Sequence, residues 1–290
     1  MLSVVGTIPD KDFPLTTGEV RVDKGMLCVG DMRIPINRGT PALLAAVIEA
    51  GKALGQSLPF GYLVGDIGLG DGSRRLYEFL TEQLASSEFQ TIVFHYLQPD
   101  VDWHNRVLFS VEEMPRRPNL IADAGFMYAA KMSGLSEKYD LFTPDVGELA
   151  FLADEEAPHP FYTRGFILQE EDRVPELISR AYKNKNAAKI LLVKGKKDYV
   201  VDSHGVQAVI ESPAAEAMEA IGGTGDTLTG IVATLIDSGM SVKDASVIGA
   251  RVNRLAGSFS ELTPAAQVTE IIRHISRAMG DILGERKGCN

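Results

Sequence analysis

Short hydrophobic runs rich in β-branched residues alternate with amphipathic stretches along most of this chain. The stretches 41–54 and 73–84 carry apolar residues at helical spacing, and Pro41 suits a first helical turn. Alternation of strands and helices favours an α/β fold, in which helices cover both faces of a mainly parallel sheet. The runs that predict strands are residues 27–29, 62–64, 91–96, 119–122, 189–193 and 199–202.

The last third of the chain has a helical pattern instead. We expect helices over residues 226–238, 242–259 and 266–283, with Gly239 as a left-handed cap after the first of them. Residues 154–175 are the best candidate for a long surface loop. No linker, repeat or low-complexity tract divides the sequence, which predicts one domain over residues 1–290.

Composition and charge narrow the function classes. The chain has 290 residues, of which 45% are hydrophobic and 23% charged, a balance typical of a globular protein with a sizeable core. Its 29 basic against 39 acidic residues give a net charge of −10, which disfavours nucleic acid and anionic membranes as partners. The two cysteines, Cys28 and Cys289, rule out a disulfide framework and favour a reducing compartment.

Targeting signals and membrane spans are not expected. The first residues lack a basic segment and reach acid and proline within ten positions. The longest uncharged stretch, residues 53–65, is too short to span a bilayer. We therefore expect a cytoplasmic protein.

The segment with the most chemistry is IGGTGDTLTG, residues 221–230, followed by the apolar helix IVATLI. Its glycines leave successive N–H groups uncovered just before a helix start, which predicts a pocket for an anion such as phosphate. Asp226 would repel a phosphate, but it suits a general base that takes a proton from an attacking hydroxyl. The alternative interpretation is that Asp226 only caps the helix.

Three other segments place ligand-type residues at strand ends or turns. In TPDVGE, Asp145 and Glu148 lie one helical turn apart, either to reach a Mg²⁺–water cluster or to cap a helix. Lys194 ends the run KILLVK, and Asp123 ends NLIA. Ligands bind at the carboxyl ends of strands in open α/β sheets, so these residues together indicate one site.

In the order of its motifs, the chain resembles the ribokinase-like superfamily, specifically its NAD(P)H-hydrate dehydratase branch. GGTGDTLTGIVATLIDSG carries the most specific likeness, and ASVIGARVNRLAG continues it. The family's glycine-containing loop and helix correspond to GDMRIPINRGTPALLAAVIEAG, and its Asp-Ala-Asp strand to NLIADAGFMY. Its Thr-Pro-His-Pro-Gly-Glu segment resembles TPDVGELAFL, and its Leu-Lys-Gly strand end resembles LLVKG. The likeness is collinear over residues 25–283 and implies a ribokinase-like three-layer sandwich.

The resemblance also implies roles for individual residues. ATP or ADP with Mg²⁺ would be the cofactor, and a small molecule the substrate. The implied catalytic set is Asp226 as base with Gly223, Thr224 and Gly225 as the anion hole. The implied nucleotide contacts are Lys194, Gly195, Thr143 and Asn253; the acceptor contacts are Asn37, Gly39, Asp123 and His95; the Mg²⁺ ligands, through water, are Asp145 and Glu148.

Two departures put the acceptor in doubt. Dehydratases carry a Gly-Pro-Gly-Leu-Gly turn where this chain reads HYLQPD, residues 95–100, and the second Asp of Asp-Ala-Asp is Gly125. Side chains then fill space that a glycine turn leaves open. The polar and aromatic residues from His95 to His104 form either a recognition surface for a polar ligand or a loop whose His and Trp pack inside.

The reading that follows is phosphoryl transfer to a hydroxyl of a small metabolite. A dehydratase then eliminates the phosphorylated hydroxyl, whereas a kinase for a sugar or vitamin-precursor alcohol releases a stable phospho-ester. A non-catalytic nucleotide sensor is the third alternative, disfavoured because a pure binder does not need Asp226. Homo-oligomerisation stays open, with residues 60–64 and 161–168 as apolar interface candidates that could equally be core.

Overall fold

The computed structural model describes residues 1–155, 173–214, 216–260, 263 and 265–288. Within these ranges eleven strands join one sheet, in the spatial order β11-β10-β9-β8-β7-β6-β1-β5-β2-β3-β4. The strands are β1 (Leu2–Ile8), β2 (Thr16–Asp23), β3 (Met26–Val29), β4 (Met32–Pro35), β5 (Phe60–Gly65), β6 (Thr91–His95), β7 (Asn119–Asp123), β8 (Leu141–Phe142), β9 (Ile190–Val193), β10 (Asp198–Asp202) and β11 (Gly205–Ile210).

The centre of the sheet is parallel and both its ends are antiparallel. Strands β5, β1, β6, β7, β8 and β9 run in one direction. On one side β2, β3 and β4 continue the sheet as antiparallel strands, and on the other side β10 and β11 do so. The carboxyl ends of the six parallel strands therefore meet at one edge, where ligand sites form in open α/β sheets.

Helices cover both faces of the sheet. The α-helices of the described residues are α1 (Thr40–Leu54), α2 (Asp71–Gln83), α3 (Val101–Glu112), α4 (Gly125–Met132), α5 (Val146–Ala153), α6 (Val174–Lys183), α7 (Thr224–Asp237), α8 (Val242–Phe259), α9 (Val268–Ile272) and α10 (Ile275–Gly288). Apolar residues of α1 and of α7 to α10 form one hydrophobic core, called the first face below. Residues of α2 to α6 form the other core.

The strands alternate between these two cores, as the two-residue period of a strand requires. In β6, Val93 packs in the first-face core, whereas its neighbours Ile92 and Phe94 pack in the other. Both faces of the central strands are therefore buried, which explains why the sequence shows near-continuous apolar runs there. The α/β prediction is confirmed.

The predicted elements differ from the structure at three places. The expected helix 266–283 is wrong in its continuity, since α9 and α10 are separate helices with Arg273 and His274 between them. Most of the expected loop 154–175 lies outside the described residues, and α6 already contains positions 174 and 175. Strands β1, β2, β4 and β11 and helices α3, α4 and α6 have no counterpart among the predicted elements.

Other expectations have simple outcomes. Residues 60–64 belong to β5 between β1 and β2 and are largely buried, so they are core and not an interface. The other apolar candidate, residues 161–168, and Cys289 lie outside the described residues, and Cys28 is a buried free thiol. Among the described residues, none of the helices is long and apolar enough to cross a membrane. Gly239 has a φ of 94° after α7, as predicted.

Candidate active site

Four polar side chains reach the same place because each follows a core residue of its strand by two positions. Two positions along a strand return a side chain to the same face, so each polar residue points toward the first-face helices. The pairs, core residue first, are Val93 and His95, Ile121 and Asp123, Leu141 and Thr143, and Leu192 and Lys194. They line up at the carboxyl ends of β6, β7, β8 and β9, opposite the start of α7.

The start of α7 is the glycine segment. Gly223 takes the N-cap position with a φ of 105°, in the left-handed region, so a residue with a side chain would be strained there. The first-turn N–H groups of a helix have no intrahelical partner, and no side chain caps them here among the described residues. The Asn253 side chain braces this turn, with its Nδ2 donating to the Thr224 carbonyl at 3.2 Å and its Oδ1 accepting from the Thr227 hydroxyl at 2.7 Å. The segment therefore presents uncovered donors on a fixed backbone, which suits an anion.

Asp226 lies in this first turn and is almost fully buried. Its Oδ2 accepts the Gly39 N–H at 2.6 Å, and its Oδ1 lies 3.1 Å from His95 Nε2. Burial alone would raise the pKa of Asp226, but the hydrogen bond and charge of His95, together with Lys194 and the Gly39 N–H, hold it below its ordinary value. Asp226 is therefore an ionised carboxylate at neutral pH.

Asp123 and Lys194 form a buried ion pair beside Asp226. The Lys194 ammonium lies 3.0 and 2.9 Å from the two oxygens of Asp123, and Thr229 of α7 donates to Asp123 Oδ2 at 2.8 Å. Burial would lower the pKa of Lys194, but the carboxylates of Asp123, Glu148 and Asp226 raise it above its usual value. A Cβ on Gly225 would lie 3.5 Å from Lys194 Nζ, so a fixed positive charge sits against the glycine segment.

Ligand atoms of His95, Asp123 and Asp226 lie within 4.8 Å of one another, a spacing that a metal ion could bridge. The contacts favour a hydrogen-bonded cluster instead. The Lys194 ammonium already touches both Asp123 oxygens, and His95 and the Gly39 N–H already touch both Asp226 oxygens. A divalent cation between them would have to displace these donors and would face a neighbouring positive charge.

Asp145 and Glu148 form the capping box of α5. Asp145 Oδ1 accepts the Glu148 N–H and Glu148 Oε2 accepts the Asp145 N–H, both at 2.8 Å. The capping interpretation is therefore correct. Asp145 Oδ2 takes no part in the capping box, and Glu148 Oε1 accepts the Tyr128 hydroxyl at 3.4 Å. Burial, followed by the charges of Asp145 and Asp123, raises the pKa of Glu148 well above its ordinary value. This crowding of negative charge is the environment that a bound cation relieves, so the pair fits Mg²⁺; that role stays a prediction.

These groups surround a cavity of about 930 Å³. Ten of the fourteen predicted site residues line it: Asp123, Asp145, Glu148, Lys194, Gly195, Gly223, Thr224, Gly225, Asp226 and Asn253. Four do not. Gly39 and His95 lie behind Asp226, Thr143 is fully buried against Thr229, and Asn37 is exposed outside the lining. Thr143 and His95 have no exposed surface, so in this structure neither side chain is placed to touch a nucleotide or an acceptor directly.

In the HYLQPD segment, Tyr96 faces the cavity, whereas the preceding His95 is buried behind Asp226. Tyr96 lines the cavity, is 48% exposed and packs at 4.6 Å, edge to face, against the His95 ring. Its φ of 55° is unusual for a side chain of this size, and its carbonyl is held by the Thr7 hydroxyl at 2.9 Å. Nothing in the sequence signalled this conformation.

The residues from Trp103 to His104, beyond HYLQPD, pack against the hydrophobic core. His104 is fully buried, its Nε2 lies 2.8 Å from the Tyr139 hydroxyl, and burial lowers its pKa to about 4. Trp103 is partly buried, with the Arg106 guanidinium 4.9 Å from its ring centroid. The recognition-surface interpretation is therefore wrong for His104 and Trp103, which are packing residues.

Sequence reasoning also missed the pair that holds the cavity's other wall. Arg254 of α8 donates to Asp198 at 2.7 Å and to the carbonyls of Gly195 and Lys196 at 3.0 and 2.8 Å. This fixes the turn after Lys194. Arg254 lies four residues after the buried Ala250, on the apolar face of its helix, and that spacing could have found it.

Sequence comparison gives three findings. Residues 98–277 match the family model described as NAD(P)H-hydrate dehydratase. A protein of Methanocaldococcus jannaschii described as uncharacterized is 44% identical over 220 residues, covering 76% of this chain and 90% of its own. An ADP-dependent (S)-NAD(P)H-hydrate dehydratase of Cenarchaeum symbiosum is 27% identical over 147 residues, which cover 51% of this chain and 46% of that relative. A bifunctional NAD(P)H-hydrate repair enzyme of Pyrobaculum aerophilum also matches, and the chain spans 25% of its length.

Solved structures share the fold at low identity. A ribokinase-like superfamily protein of Enterococcus faecalis matches with a TM-score of 0.58 and 15% identity, over 97% of this chain and 87% of its own. Pyridoxal kinase of Staphylococcus aureus, in complex with AMP-PCP and pyridoxal, matches with a TM-score of 0.51 and 13% identity, over 87% and 86%. The fold is therefore ribokinase-like.

Proposed function

This chain belongs to the NAD(P)H-hydrate dehydratase family, and we propose that it is a nucleotide-dependent enzyme that phosphorylates a hydroxyl of a hydrated nicotinamide nucleotide and then eliminates the phosphate. One observation carries the proposal: the ionised, buried Asp226 stands in the first turn of α7, directly after an uncapped glycine segment. A hydroxyl acceptor needs a base, and a transferring phosphoryl group needs fixed donors. Here both lie within one turn of helix.

In the first step the acceptor hydroxyl attacks the terminal phosphorus of ATP or ADP. A new P–O bond forms, the bond to the leaving nucleotide breaks, and Asp226 takes the hydroxyl proton. The N–H groups around Gly223, Thr224 and Gly225 stabilise the charge on the transferring group, where a single preorganised donor is worth about 3 kcal/mol. Lys194, which already lies against Gly225, offsets phosphate charge.

Magnesium fits the acidic side of the cavity. Asp145 and Glu148 line it, and each has one oxygen outside the capping box; that of Glu148 accepts only a long hydrogen bond, from the Tyr128 hydroxyl at 3.4 Å. The ion, when bound, neutralises charge on the phosphate oxygens of the nucleotide. Asn253 keeps the first turn of α7 in place, so its contribution to nucleotide binding is to hold the donors in position.

In the second step the phosphate ester gives up its phosphate. The C–O bond breaks, phosphate leaves with the electron pair and takes up the proton that the neighbouring carbon loses, and the C–H electron pair restores the double bond of the reduced ring. The test is to incubate the protein with NADH hydrate and ADP or ATP with Mg²⁺. Recovery of the NADH absorbance with one phosphate released per turnover supports the dehydratase, and no recovery with either nucleotide contradicts it.

A kinase for another alcohol is the second candidate, and one observation favours it. Tyr96 lines the cavity at the place where the resemblance to the dehydratases implies a glycine turn. Its side chain alters the space for the acceptor and leaves the phosphoryl-transfer groups intact. Phosphorus NMR on a panel of alcohols separates the two candidates, because a kinase accumulates a stable phospho-ester and a dehydratase releases inorganic phosphate.

A further inference from the structure

The His95 ring lies wholly inside the protein, directly behind Asp226. Its Nε2 is 3.1 Å from Asp226 Oδ1, its Nδ1 is 3.0 Å from the Thr40 hydroxyl, and none of its surface is exposed. His95 is also missing from the lining of the cavity, whereas Asp226 is part of it. The imidazole therefore stands behind the carboxylates that line the cavity: Asp226 is at hydrogen-bond distance, and Asp123 Oδ2 lies farther from Nε2, at 3.8 Å.

Two donors from different elements fix that carboxylate. An ionised carboxylate can only accept hydrogen bonds, so His95 Nε2 must be the donor to Oδ1, while the Gly39 N–H before α1 donates to Oδ2 at 2.6 Å. A carboxylate has about four acceptor positions. Two of them are occupied from inside the protein, which leaves acceptor positions for a hydroxyl in the cavity.

The chain makes room for this arrangement at Gly6 of β1. A Cβ there would lie 2.6 Å from the Thr40 hydroxyl oxygen and 2.9 Å from the His95 carbonyl oxygen, too close for any side chain. Gly6 lets the start of α1 approach the end of β6, where Thr40 meets the imidazole. Because a threonine hydroxyl can donate and accept, it satisfies Nδ1 in either protonation state of the ring.

We propose that His95 is a positioning residue for Asp226: its Nε2–H fixes the orientation of the carboxylate that receives the acceptor's proton. This rests on the proposed function, in which Asp226 is the base. Without the donor, the carboxylate keeps only the Gly39 N–H and can rotate away from the attacking hydroxyl.

Electrostatics gives the proposal a second readout. The groups that face Asp226 are His95 from β6, Asp123 and Lys194 from β7 and β9, Tyr96, and the Gly39 N–H. Burial raises the pKa of Asp226 and the His95 hydrogen bond opposes it. Removing the donor while the burial stays should therefore raise the pKa of Asp226 and move the acid limb of the activity profile to higher pH.

The test compares two amide variants that differ only in reach. His95→Gln carries its amide nitrogen far enough to donate to Asp226 in place of Nε2, whereas the shorter His95→Asn reaches only the position of Nδ1. Thr40→Val is the third variant, because it removes the partner that orients the ring and leaves His95 in place. Folding of each is checked by thermal unfolding before the site is measured.

Two measurements are made on each variant. Carboxyl NMR gives the pKa of Asp226 without any need for turnover, and steady-state kinetics gives kcat, KM and the pH profile. We expect His95→Asn to raise the Asp226 pKa and to lower kcat about 10- to 100-fold with the nucleotide Kd unchanged. We expect His95→Gln to keep most of kcat and an Asp226 pKa near that of the wild type, and Thr40→Val to fall between the two.

Each result decides one claim. An Asp226 pKa that is the same in wild type and His95→Asn overturns the positioning role, and so does a kcat loss in His95→Gln as large as in His95→Asn. If His95→Asn does not fold, an Asp226 pKa and kcat unchanged in Thr40→Val overturn it. A wild-type protein that turns over neither NADH hydrate nor any alcohol defeats the proposed function instead, and the carboxyl titration still decides whether His95 acts on Asp226.

Discussion

The carbonyl oxygen of Leu97 occupies the space in which a side chain at Gly125 would begin. A Cβ built on Gly125 falls far inside van der Waals contact with that oxygen, and it also meets Pro99 at 3.4 Å. Leu97 belongs to the segment that stands where the sequence resemblance implies a glycine turn, and Gly125 stands where it implies a second Asp. The two departures are therefore one structural change, since the new turn leaves room only for glycine at position 125.

This contact predicts that a side chain at position 125 destabilises the fold. Gly125→Ala should lower the free energy of unfolding by about 1–3 kcal/mol, the usual cost of overpacking. Gly280→Ala is the matched control, because no other part of the chain that the structure describes lies within 4 Å of its Cβ position, and helix propensity should add about 1 kcal/mol of stability. Urea unfolding measures both, and a Gly125→Ala protein as stable as wild type contradicts the prediction.

Asp226 should matter for turnover and not for nucleotide binding. Asp226→Asn removes the base, so kcat should fall by about 10²–10⁴-fold, while the loss of a negative charge leaves the nucleotide Kd unchanged or lower. Asp281→Asn on the surface of α10 removes the same charge and should change neither. Kinetics and calorimetric titration with ATP check this, and full activity in Asp226→Asn would rule out a general base at this position.

Removing one charge of the Asp123–Lys194 ion pair should lower the free energy of unfolding more than removing both charges. Lys194→Met leaves Asp123 buried without its cation and should cost about 3–5 kcal/mol of stability. Adding Asp123→Asn removes the orphaned charge, and the double variant should recover a large part of that loss. Chemical unfolding of Lys194→Met, Asp123→Asn and the double variant gives the interaction energy between the two side chains. An interaction energy of zero would contradict the prediction.

His104 should make the protein sensitive to mild acid. Burial lowers its pKa from 6.5 to about 4, so the unfolded state binds the proton more readily. Stability should therefore be complete above about pH 6.5 and should fall as the pH drops toward 4, by at most about 3 kcal/mol from this residue. His104→Gln should flatten that part of the curve. His204→Gln, at an exposed position, should follow the wild type, and parallel curves for all three proteins would contradict the assignment.

Strand periodicity explains how much of the site could be predicted. Asp123 and Lys194 each follow an apolar strand, and the rule that ligands bind at such ends was enough to bring them together. The orientation of Asp226 toward His95 could not be predicted, because it depends on Gly6, which lies 89 positions before His95 and lets α1 approach β6. The Leu97–Gly125 contact could not be predicted for the same reason, since it joins a loop to the first residue of α4 through backbone atoms that have no sequence signature.

The two-residue interval between core and site residues has a consequence for how such a site can change. Substitution of His95, Asp123 or Lys194, at the carboxyl ends of β6, β7 and β9, replaces a functional group without disturbing the core residue two positions before it. Deletion of one residue inside β6 instead turns the strand over, so that Phe94 would face the first-face helices and the imidazole would face the helices of the opposite layer. New chemistry on this scaffold is therefore open to point substitutions at the strand ends and closed to changes in strand length.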